Sequence, residues 1–63
     1  MELPLAVVER VMRSAGADRL GENAVIAMRE SAQEIAEEVA GDAVKMSGRG
    51  SVTAEDVEKA LEA

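Results

Sequence analysis

Residues 22 to 47 contain no proline and keep apolar side chains at helical spacing. They predict one unbroken helix of 26 residues from Glu22 to Ser47, ~39 Å long at the usual rise per residue. In a chain of 63 residues, a helix of that length overhangs any core the chain can build alone. Met28, Ala32, Ile35, Val39 and Met46 form a seam at alternating four- and three-residue steps, with Asp42 or Ala43 at the missing step. Val25, Ile26 and Val44 widen it. Gly41 sits inside and weakens the helix by about 1 kcal/mol relative to alanine, which predicts that another backbone passes close to it.

Short polar punctuation brackets this segment. Gly48 is suited to end the long helix, because glycine adopts the left-handed conformation without a Cβ clash. Thr53 and Asp56 have capping-box spacing, so a third helix is expected from Ala54 to about Leu61, with Val57, Ala60 and Leu61 as its apolar edge. Upstream, Pro4 fits the first turn of a helix, where its missing N–H is no loss. Leu5, Val8, Val11, Met12 and Ala15 give that helix one apolar face, and Gly16 ends it. The expected order is short helix, loop, long helix, loop, short helix, without repeats or low-complexity tracts: an all-α chain and one domain over residues 1–63.

Size and composition then ask for a partner. A chain this short buries only about 60% of the surface its unfolded form exposes. With no cysteine and no histidine it has neither disulfides nor good ligands for structural zinc. Self-association is the remaining remedy. The opening Met1-Glu2-Leu3-Pro4 is not a basic, apolar leader, and no apolar run is long enough to span a bilayer, so a soluble intracellular protein without membrane contact is expected. Thirteen acidic against seven basic residues leave a net charge of −6. That balance opposes bulk attraction to nucleic acid, while local basic patches can still act.

The opening Met1-Glu2-Leu3-Pro4-Leu5-Ala6, then Arg10 and Ala15-Gly16-Ala17-Asp18-Arg19, together with Gly48-Arg49-Gly50-Ser51 and Thr53-Ala54-Glu55-Asp56, resemble an archaeal-type histone, the minimal histone fold. The resemblance covers essentially the whole chain; its ends are specific, and its middle matches in length and apolar periodicity. It implies a head-to-tail handshake homodimer in which two long helices cross, with Met28, Ile35, Val39 and Met46 buried against the other chain. It also implies duplex DNA as a partner, bent or bridged without strong sequence preference by a dimer or tetramer, as part of chromosome compaction in the cytoplasm. The positions matching the family's DNA-facing residues are Arg10, Arg13 and Arg19, with Ser51 where the family places a threonine beside its minor-groove arginine. Arg49 matches a residue that pairs with the carboxylate corresponding to Asp56, which makes it a structural brace.

Each of these residues also has a plainer reading. Arg10 and Arg13 can coat the solvated face of an amphipathic helix, Arg19 can complement the C-terminal dipole of the first helix, and Ser51 and Thr53 can be turn and cap residues. The chain also departs from the family. Gly50 and Thr53 stand where lysines are common, the long helix ends about one turn early, and the histidine that helps stack dimers is absent. No basic tail follows Ala63, and the middle of the long helix carries Glu30, Glu34, Glu37, Glu38 and Asp42. These departures favour a discrete dimer or tetramer over extended wrapping stacks. They also keep open a second class: a histone-fold dimerisation module whose partner is another protein, including another histone-fold chain, with little or no DNA contact.

An enzyme is not expected. Glu34, Glu37 and Glu38 share a helical neighbourhood where carboxylates can bind a cation or exchange protons, but a solvated face explains them as well. No histidine or cysteine is present to act as base or nucleophile. Met12, Met28 and Met46 at core spacing are packing residues before they are an adaptable groove. The absence of any aromatic residue removes base stacking as a route to single strands. No catalytic residue, cofactor or metal site is expected.

Overall fold

The computed structural model describes residues 2–48 and 50–62. Its elements are α1 (Leu5–Ser14), α2 (Glu22–Ser47) and α3 (Ala54–Glu62), with no strand among the described residues. The long helix keeps both expected ends and the third runs to Glu62. Pro4 stands one position before α1 rather than in its first turn, and its carbonyl accepts the N–H groups of Val7 and Val8. The carbonyl of Gly21 does the same for Ala24 and Val25 at the start of α2.

The caps explain why the chain turns where it does. After α1, Gly16 takes a φ of 111°. Its N–H reaches the Arg13 carbonyl, and the Ala17 N–H reaches back to Met12. This paired arrangement satisfies carbonyls that the end of the helix leaves free. Gly48 closes α2 with a φ of 69°, and the Ser47 hydroxyl donates to the Val44 carbonyl while accepting the Gly50 N–H. At α3 the capping box is reciprocal. The Asp56 N–H donates to the Thr53 hydroxyl at 3.3 Å, and the Thr53 N–H donates to the Asp56 carboxylate at 3.0 Å.

The chain divides into two compact units, Met1–Gln33 and Glu34–Ala63, with α2 contributing to both. In the first, Val8 of α1 and Val25 of α2 are buried; in the second, Ala43 of α2 and Ala60 of α3. These are small side chains. Met28, Ile35 and Met46 remain exposed by 43%, 61% and 45%, as do Val11, Val44, Val57 and Leu61. The single chain exposes 5059 Å², against about 3,900 Å² for an ordinary monomer of 6.6 kDa. The excess is apolar surface with nothing over it.

Gly41 corrects the sequence reading. A Cβ added there meets nothing within 4 Å, so no backbone of this chain passes close to it. Gly41 follows Val39 by two residues, which puts it ~160° around the helix from the seam. Gly41→Ala is therefore expected to stabilise the protein by about 1 kcal/mol, read as a thermal midpoint raised by a few degrees. A lowered midpoint would reveal another chain's backbone at this position.

Candidate functional site

The arginines expected to face a ligand lie together in the first unit. Arg10 and Arg13 are on α1 at a three-residue step, which places them on neighbouring parts of one face. Arg19 is in the loop that follows. All three are exposed. Arg13 is held from two sides: its guanidinium pairs with Glu9 one turn earlier at 3.0 Å and donates to the Asp18 carbonyl at 3.3 Å. It thereby ties the end of α1 to the backbone immediately before Arg19. Neither Arg10 nor Arg19 takes part in an ion pair among the described residues. The first unit thus presents two unengaged guanidinium groups beside one that is fixed.

Ser51 is exposed in the loop between α2 and α3, within the second unit. Arg49 lies outside the described residues, and with it the expected Arg49–Asp56 pair. The described contact of Asp56 is the α3 cap. Of the seam residues, Met28, Ile35 and Met46 are exposed and Val39 half-buried. They form an uncovered apolar strip.

Charge is divided unevenly along the chain. Residues 1–33 carry four basic and five acidic side chains; residues 34–63 carry three and eight. The first unit is near neutral, and the second holds five of the six surplus negative charges. The overall acidity therefore does not describe the surface around Arg10, Arg13 and Arg19. Screening over ~8 Å at physiological salt lets that local surface act on its own.

One cation was missed by periodicity alone. Arg29 on α2 has a side chain only 18% exposed and pairs with Glu2 at 3.6 Å. Its Nε is buried without a hydrogen-bond partner among the described residues. The Leu3 N–H donates to the Gln33 side-chain oxygen, so two contacts strap the segment before α1 onto α2. The surface pair Lys59–Glu55 at 3.0 Å is a helical i,i+4 contact. Glu55 pushes the Lys59 ammonium above its ordinary pKa, but both side chains are exposed and solvent screens such a pair strongly. No three carboxylates converge to hold a metal ion, and no helix is long and apolar enough to cross a membrane, among the described residues.

Short helix, long helix, short helix, with capped loops and an apolar seam left open along the long one, define a histone-fold protein. A sequence model of the family described as histone-like transcription factor (CBF/NF-Y) and archaeal histone matches residues 1–61. The chain is also 43% identical over 65 residues to an archaeal histone HAN1 protein of Thermococcus zilligii, an alignment covering 98% of this chain and 97% of that protein. The chain belongs to this family of histone-like transcription factors and archaeal histones. Its members are architectural, DNA-binding proteins rather than enzymes, and a handshake dimer is typical of them.

Proposed function

We propose that the 63 residues form a single histone-fold domain that pairs with a second copy. As a homodimer or discrete tetramer it binds or bridges duplex DNA in the cytoplasm, without strong sequence specificity, and so contributes to chromosome compaction. The observation that carries this reading is the exposed arginine group of the first unit, Arg10 and Arg19 unpaired beside the anchored Arg13. Guanidinium groups suit the task because their planar forks bridge phosphate oxygens or enter a narrow minor groove. Ser51 is the proposed hydroxyl contact, and any selectivity comes from the bendability of the duplex. Arg49 and Asp56 brace the second loop.

The dimer rests on surface. The single chain's excess of about 1,200 Å² over an ordinary monomer exceeds the ~800 Å² per partner that a specific interface buries. Met28, Ile35, Val39 and Met46 are the proposed centre of that interface. The test is retardation of a short duplex over a range of salt. Affinity is expected to fall by ~0.9 log units per log unit of salt for each phosphate contacted, and no retardation at low salt would overturn the DNA reading. A second reading, favoured by the acidic unit 34–63, is a dimerisation module for a protein partner with little DNA contact. Stoichiometric recovery of a non-self chain, free of DNA, from native extract supports it.

A further inference from the structure

The long helix carries Glu30, Glu34, Glu38 and Asp42 at four-residue steps. At 100° per residue this row drifts around the helix until Asp42 falls beside Val39 and Met46 in the apolar seam. Glu30, Glu34 and Glu38 are exposed and Asp42 is half-buried. None of the four takes part in an ion pair among the described residues. Like charges at this spacing destabilise a helix by a few tenths of a kcal/mol per pair, so the row is a cost that the single chain does not offset.

A second copy offers little relief. Along α2 it brings six carboxylates and two cations, Arg29 and Lys45, and Arg29 is already paired with Glu2. Charges flanking an apolar seam select partners: opposite signs across the seam favour a pair, and like signs reject it. We infer that the preferred occupant of this seam is a different histone-fold chain of net positive charge, with lysine or arginine along the edge of its own long helix. This inference rests on the dimer reading above. The homodimer is then the form adopted in the absence of such a partner, and the acidic row makes it exchange chains when one is supplied.

The test needs only this protein and a charge-inverted copy. In the copy Glu30→Lys, Glu34→Lys, Glu38→Lys and Asp42→Lys are combined, and the seam is untouched. Equimolar wild-type and inverted chains are mixed and the dimers weighed by native mass spectrometry. Random pairing makes half of the dimers mixed. Charge selection is expected to raise the mixed fraction to roughly nine-tenths at low salt and to let it relax toward half as salt shortens the screening length. A mixed fraction of half or less at low salt overturns the inference. An inverted copy that folds only when wild-type chain is added supports it. A neutralised copy, Glu34→Gln with Glu38→Gln and Asp42→Asn, gives a separate check: its homodimer should be tighter than the wild type's, and equal affinity overturns the inference. Wild-type protein that stays monomeric and folded overturns the dimer reading itself, and is told apart because no dimer of any composition then forms.

Discussion

Ile35→Asp is expected to leave the protein largely unfolded at micromolar concentration, with helical circular dichroism lost and no dimer on sedimentation. In the single chain Ile35 is 61% exposed near the middle of α2. A polar residue at such a position in a true monomer changes stability by about 0.5 kcal/mol or less. If a second chain covers it, the outcome differs in scale. The lost burial of isoleucine is worth ~1.5–3 kcal/mol, and an unpaired carboxylate in the seam adds ~3–5 kcal/mol. Both occur twice in a homodimer, and their total reaches the ~5–15 kcal/mol that holds small proteins together. Glu37→Ala, two residues on and exposed, is the matched control and should be nearly silent. A folded Ile35→Asp protein with the wild-type thermal midpoint would show that the seam is solvent-facing in the working molecule.

The two expected effects differ so widely because the sequence specifies a face and leaves open what covers it. The spacing of Met28, Ile35, Val39 and Met46 marks an apolar strip, but Val25 and Ala43, adjacent to that strip, are the α2 residues the protomer buries. Periodicity cannot tell the side facing α1 and α3 from the side facing another chain. Helix ends were more legible, since each depends on a local signal: Gly16 and Gly48 at positive φ, and Thr53 with Asp56 in a box whose two bonds span three residues. The strap of Glu2 to Arg29 and Leu3 to Gln33 joins residues about thirty apart and has no local signature. Arg13 illustrates an intermediate case. Its pairing with Glu9 follows from i,i+4 spacing, but its donation to the Asp18 carbonyl depends on how Gly16 turns the chain. Gly41 was misread because a helix-weakening residue invites a packing explanation, and this one has open space beside it.

Removing the arginines from the first unit is expected to abolish DNA binding while leaving a dimer. A dimer of the Arg10→Ala, Arg13→Ala, Arg19→Ala chain loses six guanidinium groups. If each meets one phosphate, the salt slope falls by about 0.9 per group, and affinity near physiological salt by at least a factor of ~100. Arg13 needs separate treatment, because it also holds Glu9 and the Asp18 carbonyl; losing those exposed contacts costs about 1 kcal/mol of stability. The variant that isolates the DNA role is Arg10→Ala with Arg19→Ala, since neither residue has an ion-pair partner among the described residues. It should keep the wild-type thermal midpoint and bind roughly tenfold or more weakly. Lys45→Ala with Lys59→Ala lowers the net charge by the same two units in the other half of the chain. Were binding governed by total charge, the two double variants would weaken alike. Local contact requires the lysine pair to bind within a few-fold of wild type, and equal losses in both would move the DNA contact away from α1 and the loop after it.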